Sequence, residues 1–177
     1  MQNRLKFTLK SMRARANPAV FGFILGVVLG VVASTHYTRA NDQVFIESDM
    51  FVLDLMQNVE WLRCSLGQVW DGETCQGEVM KLNHDEIMQA IAQANEQLGG
   101  NWRLPSADEL KNIVCKACVP PKIDLQLFPA TSAEPYWTGE ANPYRKPNIY
   151  SINFYTGHKY GNFFPYQRLA VRLVRDR

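Results

Sequence analysis

Residues 16–38 form a run of 23 without a single Asp, Glu, Lys or Arg, and the 15 residues before it hold five cations (Arg4, Lys6, Lys10, Arg13, Arg15) and no acid. As a helix, a run of that length spans about 34 Å, against a hydrocarbon core of roughly 30 Å. It therefore fits a single membrane anchor, with the cations holding the N-terminus in the cytoplasm and the rest of the chain sent outward. The competing reading is a cleaved signal peptide. The apolar block proper, 18–33, lies near the length of such a region, and Val31-Val32-Ala33 and Thr38-Arg39-Ala40 offer small-residue cleavage sites. Within the run, Gly22, Gly26 and Gly30 recur every four residues and would stack into one smooth helix stripe that a second backbone can approach. That stripe fits self-association or docking beside a partner helix, against the plain alternative that glycine is common in membrane helices.

Past Ala40 remain 137 residues, enough for one domain with a real core. Charge is unevenly spread. Residues 41–140 hold 6 cations and 16 anions, whereas 141–177 hold 7 cations and 1 anion. A net acidic domain argues against nucleic acid as partner. The basic last third could face an anionic glycan or an acidic protein surface, or the two parts could neutralise each other inside one fold. Four cysteines in an exported domain suggest disulfides. Pairing Cys64 with Cys75 would close a loop of 12 residues, worth roughly 3 kcal/mol, and pairing Cys115 with Cys118 a tighter one worth about 2 kcal/mol. Crossed pairing, a redox role for the second pair and a four-cysteine zinc site are the alternatives.

The periodicities sketch an α+β domain over 51–177, behind a basic cytoplasmic segment (1–15), the anchor (16–38) and a stalk (39–50). Phe51-Val52-Leu53-Asp54-Leu55 and Val59-Glu60-Trp61-Leu62-Arg63 alternate like a hairpin around Met56-Gln57-Asn58. Asn83 and Glu86 make a capping box for a helix whose Ile87, Ile91, Ala94 and Leu98 share a face, ended by Gly99-Gly100. Trp102-Arg103-Leu104 reads as a short strand stopped by Pro105, and Ser106 with Glu109 caps a second helix bearing Leu110, Ile113 and Val114. Strands follow at Tyr136-Trp137-Thr138 and 150–154, a turn at 156–159, a return at 160–163, and a last strand at 168–175. Trp61, Trp70, Trp102 and Trp137 are expected in the core, and His84 on the surface. This order gives two helices on a mostly antiparallel sheet.

These residues resemble the Lcl C-terminal domain family, named after a collagen-like bacterial adhesin. The resemblance runs through Arg63-Cys64-Ser65-Leu66-Gly67-Gln68, Trp70-Asp71-Gly72, Cys75, Trp102-Arg103-Leu104-Pro105, Glu109-Leu110, Ile123-Asp124, Phe128-Pro129, Tyr136-Trp137-Thr138 and Val171-Arg172-Leu173-Val174-Arg175, about 51–176 in all. It implies a C-type-lectin-like fold on a bacterial envelope and a role similar to that of a sulfated-glycan-binding adhesin. The chain has no collagen-like repeat to trimerise it, and Glu134-Pro135 is followed by Tyr136 rather than the ligand amide of calcium-dependent lectins. The expected location is the bacterial inner membrane, single-pass with the C-terminal domain in the periplasm, or secreted or surface-exposed after cleavage.

No nucleophile–base pair, phosphate loop or metal-spaced histidine cluster marks an enzyme, and no cofactor or metal is expected. A binding surface is expected in the last third: Tyr144, Arg145, Lys146 and Asn148 in one loop, and Tyr155, His158, Lys159, Tyr160, Asn162 and Tyr166 around the following turn and return strand. Aromatic faces with amides and cations suit sugars and anionic groups. Two function classes follow. One is an anchored, non-enzymatic recognition module for a glycan or other anionic surface ligand. The other is a structural subunit of an envelope machine (pilus, secretion or motor complex), with envelope-protein contacts and a homo-oligomer made through the membrane helix. If the thiols are paired, reduction lowers the melting temperature of the domain by several degrees, as thermal denaturation with and without reductant would show; an unchanged melt contradicts paired thiols.

Overall fold

The computed structural model describes residues 38–40 and 43–177, which belong to one compact unit, 37–177. The basic segment 1–15, residues 16–37 of the expected anchor and the glycine stripe lie outside the described residues. Among the described residues, no helix is long and apolar enough to cross a membrane. Four N-terminal strands are β1 (Thr38–Ala40), β2 (Gln43–Ser48), β3 (Phe51–Asp54) and β4 (Val59–Leu62). The expected hairpin is β3–β4, with Val52 opposite Trp61 and Asp54 opposite Val59. Asp54 closes its turn by accepting the N–H groups of Met56 and Gln57, both at 3.0 Å. The segment 39–50, expected as a stalk, contains β2, whose Phe45 is buried edge-on against Phe128 at 6.4 Å between ring centroids. The C-terminal β12 (Val174–Asp176) joins β4, so the first sheet runs β1-β2-β3-β4-β12, all antiparallel.

Inside the Cys64–Cys75 disulfide lies a small ribbon, β5 (Val69–Trp70) with β6 (Cys75–Gln76). Cys115 and Cys118 are bonded as well, so both pairings are local and no thiol is free for a zinc site. After β7 (Lys81–Leu82) comes α1 (His84–Leu98). Its capping box is complete: Asn83 Oδ1 accepts from Glu86 N and Glu86 Oε2 accepts from Asn83 N, each at 3.0 Å. Ile87, Ala90 and Ala94 are buried, with Ile91 and Leu98 packed at the margin. The expected strand at Trp102-Arg103-Leu104 shrinks to one bridge, Arg103 to Val174. Pro105 and the start of α2 (Ala107–Asn112) leave it no room to extend. Ser106 and Glu109 complete the second capping box, and the Glu109 carboxylate also forks the Arg103 guanidinium at 2.9 and 2.8 Å. That fork holds the Glu109 carboxyl below the usual carboxylate range. Asp176 reaches the same guanidinium at 2.5 Å, fastening the last strand to the start of α2.

The second sheet is built from β8 (Pro135–Ala141), β9 (Ile149–Asn153), β10 (His158–Phe163) and β11 (Leu169–Ala170), in the order β10-β9-β8-β11-β7. Only β11 with β8 is parallel. Its two sides meet different cores. Tyr136 and Ile152 pack with Leu110, Ile113 and Val114, whereas Trp137 and Ile149 pack with Ile87, Ala90 and Ala94 of α1. The single last strand expected at 168–175 is instead two: β11 in the second sheet and β12 in the first, with residues 171–173 crossing between them. Every residue from 169 to 174 is buried, because the crossing is walled by both sheets. Trp70 departs from its expected core position. It is half-buried, lies 4.3 Å from the Arg63 guanidinium and donates to Asp49 Oδ1 at 2.9 Å.

At the middle of that crossing sits Arg172, with 0 % of its surface exposed and no carboxylate partner among the described residues. Its Nη1 donates to the backbone carbonyls of Leu62 (2.9 Å) and Arg63, and its Nη2 to Ser65 Oγ (3.2 Å) and Thr131 Oγ1 (2.7 Å). The guanidinium lies 4.8 Å over the Phe128 ring. Burial pushes it down to about 10, still protonated at neutral pH. Removing it would leave several buried acceptors unpaired, each costing about 1–3 kcal/mol. Arg172→Ala is therefore expected to lose at least about 3 kcal/mol in urea unfolding, and exposed Arg145→Ala no more than about 0.5 kcal/mol. A loss below about 1 kcal/mol for Arg172→Ala would contradict this role.

Candidate functional site

The loop joining β8 to β9 and the edge strand β10 form one surface, and a residue the sequence reading passed over organises it. Asn142 is buried. Its Oδ1 accepts the Tyr144 N–H at 3.0 Å and the Tyr150 hydroxyl at 3.3 Å, while its Nδ2 donates to Gly161 O at 2.8 Å. Backbone bonds Asn142 N to Asn148 O (2.7 Å) and Asn148 N to Arg145 O (2.8 Å) close the loop. Gly161 permits the approach: a Cβ there would stand 2.5 Å from Asn142 Nδ2 and 2.7 Å from the Tyr150 ring. Chain positions 142, 150 and 161 are thus drawn together, and nothing in their spacing announces it.

Around this pin the expected residues fall into four groups. Arg145 donates to Asn162 Oδ1 at 3.0 Å, and the Lys159 ammonium sits 4.2 Å from the Tyr150 ring centroid, so loop and strand share one cationic band. Tyr144 stands out at the loop tip, 90 % exposed, with Lys146 exposed beside it. Tyr155, His158 and Tyr160 cluster at the hairpin end of β10, where the Tyr160 hydroxyl donates to Thr156 Oγ1 at 3.2 Å. Tyr166, 72 % exposed, stacks on Phe164 at 5.4 Å beyond the far end of β10. Asn148 belongs to none of these. It is buried, and its contribution is to close the loop. Phe164, Tyr150 and Asn142 are the members that sequence reasoning did not include.

Six of the seven cations of the last third, all but the exposed Arg177, divide into two sets. Arg168 pairs with Glu86, Arg175 pairs with Glu60, and Arg172 is buried, so the acidic part of the domain does neutralise part of the basic part. Arg145, Lys146 and Lys159 have no carboxylate within ion-pair distance among the described residues. They therefore present uncompensated positive charge beside exposed tyrosines. No group of His, Cys, Asp and Glu among the described residues is placed to hold a metal ion.

A sequence model of the Lcl C-terminal domain matches residues 50–175. The chain belongs to the Lcl C-terminal domain family. No curated protein matches the chain, and no solved structure does. The residues that carry the Lcl resemblance are mostly structural pins. Arg63 donates to Leu127 O (3.1 Å) and Gln126 O (2.6 Å), Gln68 to Ala130 O (3.1 Å), and Ser65 and Tyr136 share a hydrogen bond of 2.9 Å. Gly67, at φ +93°, brings its backbone so close to 78–80 that a Cβ would meet Glu78 O at 2.5 Å. The cationic band lies outside these motifs, although within the matched residues 50–175.

His84 is not a solvated surface residue as expected. Its ring is half-buried, edge-on to Trp137 at 4.9 Å, and its Nε2 has no hydrogen-bond partner among the described residues. Burial pushes its imidazole below the usual histidine value. The unfolded chain therefore takes up this proton first, and the domain loses stability as pH falls through about 6.5 until the folded value is reached. His84→Phe is expected to flatten the drop in melting temperature between pH 7.5 and pH 5 relative to the unaltered chain. Equal drops in the two proteins would contradict the buried neutral imidazole.

Proposed function

We propose that this chain is an adhesin-like, non-enzymatic recognition module, anchored in the inner membrane by residues 16–38, whose periplasmic domain binds an anionic glycan. The observation that carries the reading is the cationic band of Arg145, Lys146 and Lys159, without carboxylate partners among the described residues, with exposed Tyr144 on its loop and exposed Tyr155 and Tyr166 beyond the two ends of β10. Cations supply attraction to sulfate or carboxylate groups, and exposed rings supply flat faces for sugar stacking. The band stands on a loop and an edge strand held by buried Asn142, so little ordering is required on binding. Family membership supports the module reading, and the antiparallel pairing of β4 with the C-terminal β12, together with two helices, supports a C-type-lectin-like fold. One sequence feature favours the second reading, a subunit of an envelope machine: Gly22, Gly26 and Gly30 would let a partner helix or a second copy pack beside the anchor.

Heparin, as a sulfated probe, and an uncharged glucan separate these readings when titrated against the full chain in detergent. The glycan reading expects heparin binding that weakens as salt rises, no binding of the glucan, and at least a tenfold loss in the Arg145→Ala, Lys146→Ala, Lys159→Ala triple variant. Heparin affinity equal in the triple variant and the unaltered chain would remove the band as the site.

A further inference from the structure

The hairpin that follows α2 reaches the turn between β9 and β10. Val114 and Ile123 form a bridge, Cys115 N donates to Lys122 O at 3.0 Å, and the Cys115–Cys118 disulfide closes the tip. Lys122 is bonded in both directions. Its Nζ donates to Cys118 O at 3.0 Å and to Lys116 O at 3.3 Å, within the disulfide loop. Its backbone N–H donates to Phe154 O at 2.6 Å, immediately before the turn. Its stem lies along the turn as well. A Cβ on Gly157, which sits at φ +75°, would be 3.1 Å from Lys122 Cδ and 3.1 Å from Val114 Cγ1. Gly157 lies between Tyr155 and His158, so one lysine joins the disulfide tip to the hairpin end of the cationic and aromatic surface.

The two disulfides differ in access at one sulfur. Cys64, Cys115 and Cys118 are half-buried, whereas Cys75 is buried, so both sulfurs of the second pair can be reached but only one of the first. The second pair also closes the shorter loop, so opening it costs the fold less stability. We propose that Lys122 and the Cys115–Cys118 disulfide position the β9–β10 turn, and that thiol–disulfide exchange at this pair weakens the surface's hold on its anionic ligand. The ligand half of this rests on the glycan reading above; the positioning half does not. The exchange partner is a dithiol. One of its thiolates attacks a sulfur of the pair to form a mixed disulfide. Its second thiol then displaces that cysteine, and the dithiol leaves oxidised by two electrons while Cys115 and Cys118 leave as thiols.

The test uses the full chain in detergent, treated with graded dithiothreitol, and the Cys115→Ser, Cys118→Ser double variant. Alkylation with mass mapping reads which pair opens, amide exchange reads residues 153–159, and heparin titration reads the surface. Cys115–Cys118 is expected to open first, exchange at 153–159 to accelerate at least tenfold with α1 unchanged, and heparin affinity to fall at least threefold. Lys122→Gln, with the disulfide intact, is expected to accelerate exchange at the same residues. Exchange at 153–159 equal to that of the unaltered chain in both the double variant and Lys122→Gln overturns the positioning role. Faster exchange with unchanged heparin affinity overturns the coupling to ligand. Faster exchange in a chain that never bound heparin upholds the positioning and defeats the glycan reading instead.

Discussion

The buried Arg172 guanidinium is the constraint on which the rest of this domain depends. An uncompensated charge in a protein interior is strongly disfavoured, and here it is held by two backbone carbonyls, two hydroxyls and an aromatic face rather than by a carboxylate. Those partners come from the end of β4, the start of the Cys64 loop and the segment before β8. The same residue marks where the chain leaves the second sheet for the first. One side chain therefore fixes the relation of both sheets and of the first disulfide loop. The Arg63 contacts to 126–127 and the Arg103–Glu109–Asp176 cluster hold neighbouring segments in the same manner.

A scaffold held by buried polar pins can leave its surface loops free to differ. Arg63, Ser65, Gln68 and Tyr136, which carry the family resemblance, serve as pins, whereas Tyr144, Arg145, Lys146 and Lys159 lie on a loop and an edge strand whose side chains contribute little to the core. An edge strand carrying a lysine and a bulge between Tyr160 and Phe163 is also poorly suited to pair with another chain's strand, which keeps it available for a ligand. The band's positive charge stands on a domain whose remainder is acidic, so attraction is local to one region.

How much of this could be read beforehand follows the range of each interaction. Both capping boxes, the β3–β4 hairpin and the two disulfides were legible because their partners lie within a dozen residues. The role of Arg172 was not, since its partners lie 41 to 110 residues away. Its position in an alternating run suggested a strand face instead. Gln43–Ser48 looked like linker because its fit depends on Phe45 meeting Phe128. Trp70 looked like core because hydrophobic bulk gives no hint that a guanidinium will cover it. On the surface, the cations and tyrosines were legible from composition. Asn142, Tyr150 and Gly161 were hidden because only the fold brings the loop against β10.

The central claim is that a rigid, polar-pinned scaffold displays a separate cationic and aromatic surface for an anionic ligand. Backbone amide shifts of the labelled protein, followed during titration with a sulfated oligosaccharide, test it most directly. The account predicts perturbations confined to 142–146, 155–162 and 164–166, with the amides around Arg172 and the Cys64–Cys75 loop unmoved. Perturbations centred on Trp70 and Asp71, or spread through the core, would contradict it.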